Sequence, residues 1–371
     1  MKRTILALFI LSTFLVSAAV AQCNGSPYWA EFHKENMERW NKCEHTIGVE
    51  NAGGLEVKWS FSPGVAVPAV VSGVVYGVTW DGTMYALNAT NGSELWSYVT
   101  NCGSTPVAVA NGAVYFGSCY NVYALDANTG ALLWTYPTGL FIESAPTVAD
   151  GVVYIGSDDR NLYALNANTG TLLWSYALRG EVSNCSPAVA HGVVYIAPGS
   201  GDYLYALNAK TGALLWTFEQ SFIGSSPSIA NGVVYIGSNP GAVYAVNAKT
   251  GALLWAYYTG GHIETTPAVA NGFVYVGNDS FTEYALDANT GALLWSHRTG
   301  NFVASAAVAN GVLYVNSDDT HMYLFNATTG AVLAGYYTGI PAWSPAVSNG
   351  MVYVSGGSTL YAFGLPSPTA K

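Results

Sequence analysis

Charge is what this sequence has least of. Only 9% of its 371 residues are Asp, Glu, Lys or Arg, against 51% hydrophobic. A chain so poor in charge and so rich in apolar residues is not a disordered one. Bases are scarcer still, 12 against 22 acids, for a formal net charge of −10. Without a basic field to release counterions, no nucleic-acid partner is expected. The excess of Ala, Glu, Lys and Leu that marks helical bundles and coiled coils is missing. Beyond the first twenty residues no apolar run is long enough to span a bilayer. There is no Cys-x-x-Cys-His haem site, no paired Cys-x-x-Cys, no Gly-x-Ser-x-Gly elbow, no P-loop and no dinucleotide fingerprint. What is abundant is Gly (41) and Tyr (26), which with Val, Thr and Asn suit strands joined by tight turns.

The chain begins with Met1-Lys2-Arg3, the apolar run 5–16 and Ala19-Val20-Ala21, the pattern of a cleaved export signal over residues 1–21. Gln22 before Cys23 is unfavourable for lipidation. The product is therefore expected to be secreted or periplasmic, monomeric and without a transmembrane segment. Loss of Lys2 and Arg3 with no acid takes its charge from −10 to −12. In an oxidising compartment Cys23 and Cys43 are placed to clip the segment 22–54, and Cys102 and Cys119 flank the Asn111-Gly112 hairpin. Pairing stays open from spacing alone, and Cys185 is left over as a buried or a reactive thiol.

Internal repetition dominates the rest. Gly-Val-Val-Tyr or a close variant occurs eight times, from Gly73–Tyr76 to Gly350–Tyr353. Tyr-Ala-Leu-Asn/Asp-Ala follows it, and Leu-Leu-Trp or a variant places Trp at 96, 134, 174, 216, 255 and 295. Each unit reads as four strands; in the third they are predicted at 146–149, 152–156, 162–166 and 171–176. Four strands in roughly 40 residues is the signature of a propeller blade. The last unit has three strands, and the missing fourth stands at the other end, around Trp59. The expected fold is all-β: an eight-bladed β-propeller of four-stranded antiparallel blades over residues 55–364, closed by the N-terminal strand. Residues 22–54 form an extension and 365–371 a tail.

Asn/Asp-Ala-x-Thr-Gly-x-x-x-Trp, as in Asp126–Trp134 and Asn208–Trp216, resembles the tryptophan-docking motif of pyrroloquinoline-quinone (PQQ) repeat propellers. That family includes quinoprotein alcohol dehydrogenases, which hold PQQ and calcium, and BamB-like outer-membrane assembly factors, which share the fold without catalysis. The motif itself is structural: the Asx side chain caps a turn and Trp docks on the neighbouring blade. Ala334 replaces Trp in the seventh unit, so a looser junction is expected there.

A site belongs where the units differ. The turns between first and second strands and between third and fourth are monotonous; the other loops vary and share the opposite face. Twelve of the 22 acids are expected there: Asp81, Glu143, Asp158, Asp159, Glu181, Asp202, Glu219, Glu264, Asp279, Glu283, Asp318 and Asp319. Trp80, Tyr120, Phe141, Tyr203, Phe222, Phe281, Phe302 and Trp343 mix with them. Such a face suits a protein or glycan partner, with Trp80, Asp81, Tyr120, Asp158, Asp159, Tyr203, Phe281, Asp318, Asp319 and Trp343 as contact residues. The preferred reading is a non-catalytic binding scaffold with no cofactor. The alternative implied by the resemblance is a small PQQ- and calcium-dependent alcohol or sugar dehydrogenase. It would use Glu143, Asn184 and Glu264 toward calcium, Asp159 as base and Arg160 toward a quinone carboxylate.

Overall fold

A computed structural model describes residues 29–30, 38–103, 105–222, 224–340 and 343–367 of the chain. The export signal at 1–21 and Cys23 lie outside the described residues. Eight antiparallel sheets form a ring, seven of them four consecutive strands each: blades 1 to 7 span 69–99, 108–137, 147–177, 188–219, 228–258, 268–298 and 307–337. Blade 8 takes three strands from 346–364 and its fourth, Glu56–Phe61, from the other end of the domain. Trp59 of that strand pairs with Ala362. The strand thus closes the ring as expected and removes a free sheet edge. In blade 3 the strands are Thr147–Ala149, Val152–Gly156, Asn161–Asn166 and Leu172–Ala177, within a residue of the sequence expectation. Among the described residues the single helical element is a 3-10 turn, Ala52–Gly54.

Why the blades stack is visible at each junction. A β-bulge in the fourth strand, between Leu132 and Trp134 in blade 2, re-aims the indole toward the next blade. Trp134 Nε1 then donates to Ala167 O at 2.9 Å, and Tyr115 Oη donates to the same carbonyl at 3.1 Å. The pattern recurs at seven junctions, with Trp bonds of 2.9–3.1 Å. The matching Tyr bonds are 3.0–3.3 Å. A carbonyl has two lone pairs, and both are used. The Thr-Gly turn supplies the indole's platform: at Gly170 (φ +70°) an added Cβ would lie 2.6 Å from the Trp134 ring, so both the left-handed backbone and the close approach require glycine.

The exception is the junction from blade 7 to blade 8, and it corrects one expectation. Blade 8 has no Thr-Gly turn, because its fourth strand arrives from the N-terminus; there is nothing for a Trp at 334 to dock on. Instead the Ala52–Gly54 turn takes that place. Tyr336 Oη donates to Ala52 O (2.8 Å) and accepts from Leu55 N (2.9 Å). The junction is sealed by a different device rather than loosened.

The described residues of the extension before that turn, 29–30 and 38–51, lie against the inner strands of the propeller. The first strands of the blades line the axis and leave edge groups there, and the extension meets them. Trp29 and Val70 of blade 1 exchange both backbone bonds (2.8 and 2.6 Å), and Val109 N of blade 2 donates to Ala30 O (2.8 Å). Val269 N of blade 6 donates to Glu38 O (2.8 Å) and Val308 N of blade 7 to Arg39 O (3.0 Å). Trp40–Asn41 adds a parallel strand to blade 7, and Asn41 Nδ2 reaches Val347 O of blade 8 (2.8 Å). Glu44 and Ile47 hold it to the turns of blades 8 and 7 by bonds to Gly350 N (2.8 Å) and Asn310 Nδ2 (3.1 Å). Trp29 and Arg39 have no exposed surface. This axial pin bonds the blades on both sides of the seam.

Two of the four expected disulfide cysteines are described together: Cys102 and Cys119 are bridged, with Cα atoms 5.7 Å apart. Cys185 is a free, buried thiol whose pKa is pushed up to about 12 by burial, which leaves it unreactive at neutral pH.

Truncating the dock at one junction tests the stacking account. Trp134→Ala should cost about 3–5 kcal/mol and Trp134→Phe only about 1 kcal/mol, the share of one hydrogen bond, measured by urea unfolding. Equal losses from both would show that the indole N–H, and not the ring, carries the junction.

Candidate functional site

The monotonous turns gather on one face, where the extension enters. The variable loops lie on the other and surround a cavity of about 480 Å³ on the axis. Every blade contributes to its wall, from Val67 in the loop before blade 1 to Ser344 before blade 8. Beneath it lie Trp29 and Arg39 of the pin, both without exposed surface, the guanidinium 5.6 Å from the indole.

Five residues singled out in the sequence meet in this cavity: Glu143, Asn184 and Glu264 line it together with Trp343 and Phe302. Burial, and then the charge of Asp158, push the Glu143 carboxyl above its ordinary range. Asp158 is itself raised, by burial first, although Ser183 Oγ donates to it at 3.0 Å. Asn184 takes φ +57°, a conformation Asn tolerates better than most residues. Gly224 of blade 5 leaves the wall open beside Glu264, whose Cβ would be 3.7 Å from a Cβ added there.

Other predicted residues serve the loops instead. Asp159 does not line the cavity: its Oδ2 accepts from Gly139 N (2.6 Å) and Tyr163 Oη (2.7 Å), and its Oδ1 from Asn161 N (3.0 Å). Asp319 repeats this with Gly300 N (2.7 Å) and Tyr323 Oη (2.8 Å). Asp81 is held below the usual carboxylate range, chiefly by its bond from Thr79. Asp318 N donates to Phe302 O at 2.8 Å. Arg160 is exposed, 4.0 Å from Glu181, and is not part of the cavity wall. The aromatic residues form rim pairs: Trp80 with Trp343 (centroids 5.1 Å apart) and Tyr120 with Phe141 (4.6 Å). Tyr203 lies under Arg179 at 5.2 Å, and Phe281 is half-buried in a turn at φ +64°.

Glu283 is a correction. It was expected on the acidic face, yet it is fully buried in the third strand of blade 6. Neither carboxylate oxygen has a hydrogen-bond partner. Its place is held by Met84, Val122, Leu162, Leu204, Val243, Met322 and Leu360 in the other blades. Burial raises its pKa well above the ordinary value and so favours the neutral acid.

Features that strand-and-loop reasoning missed are the hydroxyls on the wall and the cation beneath it. Ser186 Oγ accepts from Ala145 N (3.0 Å) and Ser305 Oγ from Thr266 N (2.8 Å), tying each blade to the next at the cavity. Their signal is the hydroxyl that recurs before the blade-opening proline, at Thr105, Ser186, Ser226, Thr266 and Ser344, with Ser305 in the same place before Ala306. Arg39 Nε and Nη2 donate to Ala306 O (2.7 Å) and Ser305 O (3.2 Å) just below, and desolvation lowers its pKa to about 9. The extension carries no repeat, so nothing in the sequence pointed to that burial.

An eight-bladed propeller with an axial cavity among variable loops defines a class, and comparison with known proteins places the chain within it. The family model described as outer membrane protein assembly factor BamB matches residues 50–139, 120–264 and 258–362, and the chain belongs to that family. Similar solved structures include BamB from Moraxella catarrhalis, with TM-score 0.74 and 18% identity over 85% of this chain and 99% of that one. A europium-containing methanol dehydrogenase gives 0.80 and 18% over 92% and 99%. The quinohemoprotein alcohol dehydrogenase ADHIIG from Pseudomonas putida HK5 gives 0.80 and 17% over 93% and 82%. At such identities the likeness is one of fold. The serine/threonine-protein kinase AfsK of Streptomyces griseus is 40% identical over 83 residues; the chain spans 10% of that relative's length.

Burial of Glu283 has a measurable sign. The folded state holds its proton to higher pH than the unfolded chain, whose Glu titrates near about 4.3. Stability is therefore lost as pH rises above that value toward the folded pKa. Glu283→Leu should be more stable than the parent at neutral pH, with the gap shrinking toward about pH 4, where a Glu is half protonated even in the unfolded chain. Thermal melts across that range check it, and a gap that widens on acidification would contradict it.

Proposed function

We propose that the protein is an exported, non-catalytic binding scaffold of the cell envelope that engages a protein partner through its acidic and aromatic face. The observation that carries this reading is the character of the axial cavity: two carboxylates, hydroxyls and aromatic rings line it, and no Lys or Arg does among the described residues. Membership of the BamB assembly-factor family supports a protein as partner and the envelope as location. The N-terminal export pattern agrees with both. No helix among the described residues is long and apolar enough to cross a membrane. An acidic mouth steers cationic surfaces toward it and repels anions.

The quinoprotein reading has one observation in its favour: Glu143, Asn184 and Glu264 share the cavity. The donor set does not fit the cofactor. PQQ carries several carboxylates, which call for cations, whereas this wall presents carboxylates of its own. Arg160 lies outside the cavity, and Arg39 is sealed beneath it with bonds to backbone carbonyls. Asp159, the proposed base, has its oxygens engaged by the surrounding loop. No group of three or more His, Cys, Asp or Glu among the described residues is arranged to hold a metal.

A photo-crosslinking side chain at Trp80, on the variable face, should capture a single envelope protein in the cells that make this chain. The same group at Lys249, in a turn of the monotonous face, should not. Matching capture from both sites, or none from Trp80, would contradict the scaffold reading. Calorimetric titration of PQQ with calcium into the mature protein should show no binding; tight, calcium-dependent binding would restore the dehydrogenase.

A further inference from the structure

The axial cavity has a chemistry more specific than a negative face. Glu143 and Glu264 belong to the loops that open blades 3 and 6, three steps apart in a ring of eight, so they approach the axis from nearly opposite sides. Both residues line the same space, and among the described residues neither carboxylate has a hydrogen bond or ion pair. Trp343 and Phe302 also line the wall, and aromatic rings attract cations over their faces. Arg39, the cation beneath the floor, has no exposed surface and spends its Nε and Nη2 on the Ala306 and Ser305 carbonyls.

From this arrangement we infer that the cavity is a socket for one basic side chain, a guanidinium or ammonium on a flexible stem, presented by an extended segment of the partner protein. The inference rests on the scaffold reading above and names what that site recognises. A volume of about 480 Å³ falls inside the range of ligand sites, roughly 300–1,000 Å³. The surroundings favour a side chain over a free small molecule. The mouth does not close over an occupant but spreads into an apolar rim, where Trp80, Leu140 and Phe141 are 68%, 47% and 47% exposed. A cation seated between the two carboxylates leaves its flanking residues on that rim. Proximity of Asp158 and the partial burial that raises the Glu143 carboxyl mean that the empty socket holds like charge at a cost, which a bound cation relieves. The hydroxyls of Ser186 and Ser305 are already engaged as acceptors between blades, which fixes the wall before anything binds.

The test is fluorescence anisotropy of short labelled peptides, identical except for one central residue: arginine, lysine, citrulline or glutamate. Citrulline keeps the shape of arginine and removes its charge. The arginine and lysine peptides should bind roughly ten- to a hundredfold more tightly than the citrulline one, the range expected for a charged hydrogen-bonded pair. The advantage should vanish in Glu143→Gln/Glu264→Gln and shrink with added salt. Equal binding of the arginine and citrulline peptides would overturn the socket. N-Acetylarginine amide, run beside them, separates the sources: affinity equal to the peptide's would assign the cavity to a free small cation and overturn the side-chain assignment. The two readings fail separately. Peptides without charge preference while Trp80 still cross-links a partner would remove the socket and leave the scaffold standing. Loss of that cross-link in the parent removes the scaffold.

Discussion

Everything in this molecule depends on one shared acceptor. At seven of the eight junctions the carbonyl of an alanine in one blade takes a hydrogen bond from the tryptophan and another from the tyrosine of the blade before it. The two donors come from different strands, the bulged fourth and the second. Satisfying both fixes the angle and the height at which blades meet. Around each pair the apolar strand faces close into an interblade core. A contact repeated this faithfully builds a ring, but it makes every blade alike, and an asymmetric site has to come from somewhere else.

Asymmetry enters at the seam. Closing the ring with a strand from the N-terminus deprives blade 8 of its Thr-Gly turn, and so deprives Ala334 of a reason to be tryptophan. The Ala52–Gly54 turn fills that place, and the chain leading into it lies against the inner strands. One consequence is structural, since Trp29, Glu38, Arg39 and Asn41 bond blades on both sides of the seam. The other reaches the site, because Arg39 donates to the carbonyl of Ser305, a residue of the cavity wall. The variable loops then decide what that wall offers: carboxylates from blades 3 and 6, an amide from blade 4, and indole and phenyl rings from blades 8 and 7.

Much of this was legible in the residues. Period, strand limits and the closing role of the strand around Trp59 followed from repeated turns and from tryptophans held in register. The grouping of Glu143, Asn184 and Glu264 followed from their shared place before the blade-opening prolines. Other features hid for physical reasons. Asp159 and Asp319 look like free acids until their partners four residues on, Tyr163 and Tyr323, are seen to donate to them. Glu283 looked like part of an acidic face because loop and strand were separated by composition; aligning it with Leu162 and Leu204 would have placed it indoors. Arg39 gave no signal, since a segment without repeats offers no comparison, and a cation deep in a fold is rare.

The central claim is that the extension pins the inner strands of the blades on both sides of the seam, beneath the cavity. Hydrogen exchange at the amides of Val70, Val109, Val269 and Val308 tests it directly, because these inner-strand donors find their acceptors in the extension. The account predicts that they exchange as slowly as the amides in the ladders between the second and third strands. Exchange at the rate of an open sheet edge would mean that the axis is unpinned, and the account would fall with it.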